Sequence, residues 1–164
     1  GNRVFIITDG GGVGVNLADL CQSAGLAVVP VPEEIKERLV SAFPPYFSIS
    51  NPMDLTGSAT DDMFADALEA VLAGDSFDIA IVAVLWGPPG LTDDLPEMLA
   101  QKAMLSSSKP VLVCTPGGDF SRGRAVIFRK HGQSVFATPE GAVRAASILA
   151  RSAEMTARRV KKDG

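Results

Sequence analysis

The sequence predicts an α/β fold, a doubly wound parallel sheet with helices on both faces. Three observations carry that expectation. Five short apolar runs alternate with helix patterns almost without interruption. Residues 79–85 are apolar on both faces, as a central parallel strand covered by helices must be. The first run opens into a glycine-rich stretch, "TDGGGVGVN", that leads straight into a helix.

Taken in order, residues 3–8 form a short apolar strand, and the helix that follows begins about Val15 and stops at Gly25, a residue suited to the left-handed conformation past a helix end. Residues 26–29 give the second strand. Pro32, Glu33 and Glu34 open a helix, with proline and acids in the first turn where they are tolerated and favoured. Pro44 and Pro45 end it. Thr60, Asp61 and Asp62 start the next helix, whose apolar face carries Met63, Ala67, Leu68, Val71 and Leu72 before Gly74 stops it. After the central third strand, Asp94, Leu95, Pro96 and Glu97 read as a capping box. Residues 111–114 are the fourth strand, a helix runs to about His131, and residues 134–136 are the fifth. Thr138, Pro139 and Glu140 open a long final helix.

At 164 residues the chain is of single-domain size. Its 46% hydrophobic and 21% charged content fits a globular domain and excludes a disordered one. No apolar run approaches the roughly 18 residues of a membrane span, and no segment resembles a signal peptide. Cys21 and Cys114 read as reduced core residues, which points to a cytoplasmic protein. A net charge of −4 argues against nucleic acid. Residues 1–100 hold 15 acids and 3 bases, a balance of −12, and residues 101–164 hold 4 acids and 12 bases, a balance of +8. Solvated helix faces account for this, as does docking of the C-terminal part on something acidic or on another part of a larger chain. We expect residues 1–152 to form the domain and residues 153–164 to be a helix end or linker to a further domain. Residues 158–164 read as its frayed tip.

Ligands of such sheets bind beyond the carboxyl ends of the strands, where strand order reverses. With the flavodoxin-like order 2-1-3-4-5, that point lies between the first and third strands. The loops there are residues 9–14 and 86–91. Gly10, Gly11, Gly12, Val13 and Gly14 let the backbone approach an anion, toward which the N–H groups of the next helix point. A tight turn without a ligand explains the same glycines. A dinucleotide fingerprint fits less well, because Val15 stands at its third glycine and no acid ends the second strand. Trp86, Gly87, Pro88, Pro89 and Gly90 make a rigid, wide loop suited to a substrate wall. In Asn51-Pro52-Met53-Asp54-Leu55-Thr56-Gly57, a hinge into the Thr60 helix explains the Asn, Pro and Gly, and explains Asp54 and Thr56 less well. After the fourth strand, residues 115–119 precede Arg122 and Arg124, which either meet an anion or decorate an exposed helix. His131, the single histidine, sits at a helix end where the dipole favours it without a function. No nucleophile triad, metal-spaced cluster or P-loop is present, so we expect no catalytic and no metal-binding residue in this chain.

Three segments in order, "VFIITDGGGVGV", "NPMDLTG" and "HGQSVFATPEGAVRAASILA", resemble the NDP-forming acyl-CoA synthetases, the superfamily of succinyl-CoA synthetase and ADP-forming acetate-CoA ligase. The likeness is to their flavodoxin-like CoA-ligase domain and runs from Gly1 to about Ser152. It implies the reaction carboxylate + CoA + ATP to acyl-CoA + ADP + phosphate, relayed by a phosphohistidine between the N-termini of two helices from different domains. Residues Gly10 to Gly14 match one of those helix starts, and Gly87, Pro88, Pro89 and Gly90 fall where the family contacts its acyl substrate. The family usually reads Asn where this chain has Asp9; a carboxylate there repels phosphate unless it turns away or is held by a donor. The resemblance implies that the domain binds no cofactor alone and is inactive alone. CoA, ATP and magnesium then serve the full enzyme, with a CoA-binding/phosphohistidine domain and a nucleotide-grasping domain as partners and a carboxylic acid as substrate. The alternative is a non-catalytic regulatory or interaction module that kept the fold, as in acetyltransferase fusions.

Overall fold

The computed structural model describes residues 1–47, 49–106 and 109–160. Six strands, β1 (Arg3–Thr8), β2 (Ala27–Val28), β3 (Met53–Asp54), β4 (Ile79–Ala83), β5 (Val111–Cys114) and β6 (Ser134–Phe136), alternate with six helices. These are α1 (Gly11–Ser23), α2 (Glu33–Ala42), α3 (Asp61–Ala73), α4 (Leu95–Ser106), α5 (Asp119–Lys130) and α6 (Pro139–Val160). The sheet runs β2-β1-β4-β5-β6 and every pairing is parallel. That is the expected 2-1-3-4-5 order of the five long runs. Alternation along β1 divides the core into two layers. Phe5 and Ile7 face Leu39, Phe64, Leu68 and Phe128 on one side, whereas Val4 and Ile6 face Leu17, Cys21, Ala142 and Ala146 on the other.

The sixth strand, β3, is not anticipated by the sequence reading. It shares one edge of β1 with β2: β2 pairs with Arg3 and Val4, and β3 pairs with Ile7 and Thr8. The gap between them is filled by the side chain of Asn51. Its Oδ1 accepts from Ile6 N at 2.9 Å, and its Nδ2 donates to Val4 O at 2.7 Å and Val29 O at 2.9 Å. The segment expected to be a hinge is therefore part of the sheet.

Two helix starts also differ from expectation. α1 begins at Gly11 rather than about Val15. Glycine is a poor helix former, at about 1 kcal/mol per residue, but close packing compensates here. A Cβ on Gly14 would lie 3.1 Å from Thr8 Cγ2 and 3.2 Å from Pro52 Cβ, so glycine suits the close approach of α1 to β1. The capping box before α4 does not form: Asp94 N donates to Thr92 Oγ1 at 3.1 Å, and Glu97 Oε1 accepts from Gln101 Nε2 at 3.1 Å. The caps at Thr60 and Thr138 do form, their hydroxyls accepting from Met63 N at 3.3 Å and Gly141 N at 3.2 Å. α6 is helical as far as Val160, so residues 158–160 of the expected frayed tip are part of the helix, and residues 161–164 lie outside the described residues. Among the described residues no helix is long and apolar enough to cross a membrane.

Candidate functional site

The carboxyl ends of β1, β3 and β4 meet where the sheet order reverses, and they bring the first two candidate loops together. At the start of α1 the five anticipated amides are not equivalent. Gly10 N donates to Thr8 Oγ1 at 3.1 Å, while Val13 N and Gly14 N donate to Gly10 O at 3.0 and 3.1 Å. Gly11 and Gly12 keep N–H groups with no acceptor among the described residues. These two donors stand at the positive end of a 13-residue helix. A Cβ on Gly12 would meet no atom within 4 Å, so the approach to it is open.

Two carboxylates bracket that helix start. A Cβ on Gly11 would stand 2.7 Å from Asp54 Oδ2. Asp54 Oδ1 is meanwhile fixed by the amide of Thr56 at 2.8 Å, and Thr56 itself is held at φ 61°. Asp9 turns toward the neighbouring strand and is buried. Its Oδ1 accepts from Leu85 N at 2.8 Å, so a donor does hold it. Its Oδ2 is buried with no hydrogen-bond partner among the described residues. Burial raises the Asp9 pKa above the ordinary carboxyl value, the Leu85 amide opposes that shift, and the charge of Asp54 adds to it.

The second loop leaves β4 through Trp86, a bulky residue at φ 64°. Its indole N–H donates to Thr115 Oγ1 at 2.8 Å, its ring lies 5.8 Å from that of Phe128, and the Arg124 guanidinium sits 4.7 Å above it. Arg124 also covers Phe120 at 3.8 Å and pairs with Asp93 at 3.1 Å, so it belongs to the support of this loop. Gly87 and Pro89 are exposed and Pro88 is buried. Gly90 approaches the loop before α3 so closely that a Cβ would lie 2.8 Å from Ala59 O. Asp61 anchors the far end, accepting from Thr92 N at 3.0 Å and from Thr92 Oγ1. Sequence reasoning missed this anchor and the work of Asn51. An acid and a threonine flanking the loop, and an Asn-Pro pair beside a strand, were the available signals.

Other candidates stand apart from the site. Arg122 is exposed and pairs with Asp119, one helical turn away. His131 is the exposed C-cap of α5. Cys21 and Cys114 are free and buried, their thiols pushed up to about 11 and about 12 by burial, which makes them poor nucleophiles.

A model of the Ligase-CoA domain matches residues 4–138. The chain is 30% identical over 165 residues to "Acetate--CoA ligase [ADP-forming] I subunit alpha" of Pyrococcus furiosus, covering 99% of this chain and 35% of that protein. It is 32% identical over 165 residues to "Acetate--CoA ligase [ADP-forming]" of Methanocaldococcus jannaschii, covering 99% and 23%. Among solved structures, the "dinucleotide forming Acetyl-coenzyme A synthetase 1" of Ca. Korarchaeum cryptofilum in complex with phosphate and ADP superposes with a TM-score of 0.86. The two are 27% identical, with 99% of this chain and 35% of that chain covered. The apo form of that enzyme gives a TM-score of 0.87 at 27% identity, covering 99% and 36%. The chain thus spans about a third of the length of the Pyrococcus relative, or less of the Methanocaldococcus one.

Proposed function

The chain belongs to the Ligase-CoA domain family, and from that premise we propose that it is the CoA-ligase domain of an NDP-forming acyl-CoA synthetase. The reaction is carboxylate + CoA + ATP to acyl-CoA + ADP + phosphate, and this domain does not turn over alone. The observation that carries the reading is the pair of unpaired amides, Gly11 and Gly12, at the start of α1 and at the reversal of the sheet. A histidine on another domain supplies the phosphoryl carrier. Gly11 and Gly12 hold the phosphoryl oxygens through their N–H groups, while Gly10, Val13 and Gly14 shape the turn. The loop of Gly87, Pro88, Pro89 and Gly90 walls the carboxylic acid. Its partners are the CoA-binding/phosphohistidine domain and the nucleotide-grasping domain. The relatives' names speak of an ADP-forming acetate–CoA ligase, which supports CoA and ATP as co-substrates and a small carboxylate. The described residues hold no cluster of three or more His, Cys, Asp or Glu fit for a metal, and we assign magnesium to the nucleotide-grasping domain. The alternative, a non-catalytic module, drew its support from Asp9; the hydrogen bond to Leu85 N gives that carboxylate a structural task instead.

Acyl-CoA formation by the intact ligase, from acetate, CoA and ATP, tests the reading. Gly12→Asp sets a carboxylate on the proposed phosphoryl position in a place where a Cβ meets nothing. It should cut kcat by about a hundredfold or more while leaving the fold intact. Absence of turnover by the native protein with acetate and longer carboxylates would overturn the assignment, as would full activity in Gly12→Asp.

A further inference from the structure

Asp9 and Leu85 tie the two loops of the site to each other reciprocally. The carboxylate of Asp9, directly after β1, takes the amide of Leu85, just beyond β4, at 2.8 Å. The side chain of Leu85 in return covers Gly10, where a Cβ would stand 2.7 Å from Leu85 Cδ2. The next residue, Trp86, is held at φ 64°, and the wall loop begins immediately after it. A left-handed conformation at a bulky residue is strained and persists only where its surroundings enforce it. Asp9 is 7% exposed and its second oxygen has no hydrogen-bond partner among the described residues, so an ionisable group is kept in a costly place beside the Leu85 amide.

We propose that Asp9 is a positioning residue for the acyl substrate. By fixing Leu85 it sets Trp86 and the loop of Gly87, Pro88, Pro89 and Gly90 in register with the start of α1. A carboxylate held by the wall then lies within reach of a phosphoryl group at Gly11 and Gly12. The inference rests on the function proposed above, and it locates binding of the carboxylate, as distinct from the phosphoryl group, in a contact that neither ligand touches.

Trp86 is the single tryptophan of the chain, and its emission reports the loop directly. Asp9→Ala should give red-shifted emission that is more accessible to acrylamide. Asp9→Asn keeps an oxygen for Leu85 N and should restore the native spectrum. Should the Ala variant fail to fold, Asp9→Thr takes its place, since its shorter side chain cannot reach the Leu85 amide. A native spectrum in Ala or Thr, or an Asn variant displaced as far as either, overturns the proposal. In the intact ligase with acetate as the probe, Ala or Thr should raise KM for acetate about tenfold, the effect of losing one hydrogen bond. The kcat and the KM for ATP should stay within about threefold, and Asn should recover most of the loss. A fall in kcat with KM for acetate unchanged would place Asp9 at the phosphoryl group and refute the assignment. If the native ligase forms no acyl-CoA, the function fails, whereas the Trp86 spectra still decide the role of Asp9.

Discussion

Asp54 limits what the start of α1 can bind by itself. Its Oδ2 lies 2.7 Å from the position a Gly11 Cβ would take, so a carboxylate already occupies ground that the helix dipole makes attractive to anions. A free phosphate must share that ground with a like charge. A phosphoryl group carried on a histidine and pressed in by a neighbouring domain brings its own binding energy. We therefore expect weak binding of inorganic phosphate by this chain, with shifts confined to the Gly11 and Gly12 amides. Asp54→Asn should tighten it about tenfold, since the Asn carbonyl still accepts from Thr56 N while the repulsion is removed. Titration of backbone amide shifts in both proteins checks this. Equal affinities would show that the Asp54 charge does not reach the anion. Glycine spacing made the loop legible in the sequence, but not which amides are free. That depends on where the first helical hydrogen bonds close, and they close at Gly10 O.

At the scale of elements, the sequence showed whatever has a period. Apolar runs alternating with helix patterns made five strands and a parallel sheet legible, and the all-apolar central run is buried at all five residues of β4. β3 was illegible because two residues carry no period, and because its partner in holding β1 is a side chain rather than a strand. Asn51 serves three backbone groups that would otherwise be left between β2 and β3. Asn51→Ala should cost about 3 kcal/mol, as three part-buried backbone groups each lose a hydrogen bond. It should also loosen the β3 segment that presents Asp54 to α1. Denaturant unfolding measures the first effect, and hydrogen exchange at Ile6 N measures the second. The wall loop was read as a substrate surface from its glycines and prolines, its expected place at the reversal of the sheet and the family resemblance. Its closing glycine is better explained by the approach of Ala59 O, a contact between loops distant in sequence. Gly90→Ala should therefore destabilise the fold by about 1–3 kcal/mol before any substrate is added.

Across the whole molecule, the charge imbalance of −12 and +8 is partly settled inside the domain. Lys102 pairs with Glu69, Lys109 with Asp75, and Arg124 with Asp93, each joining the basic C-terminal part to the acidic N-terminal part. Asp78 and Asp9 then act on how stability responds to pH, with opposite signs. Asp78 accepts from Arg3 N and Nε at 2.9 Å each and from Arg3 Nη2 at 3.0 Å. The Arg3 side chain holds its pKa well below the ordinary 3.8. Its contribution is complete above about pH 5 and is lost progressively as the pH falls further, when the unfolded chain takes up the proton first. Asp9 behaves in reverse. Burial raises its pKa above 3.8, so its ionisation costs stability at neutral pH, and that cost is relieved as the pH falls through the raised value. Above about pH 5 the contribution of Asp78 is constant, so a change of stability there that Asp9→Asn abolishes belongs to Asp9. The native chain should lose less stability on mild acidification than Asp9→Asn, which has no such relief to gain. Asp78→Asn should be less stable at neutral pH yet flatter below about pH 4. Urea midpoints of the three proteins from pH 7 to pH 3 measure all of this. Parallel curves for native and Asp9→Asn would mean that Asp9 ionises in the folded chain as freely as in the unfolded one.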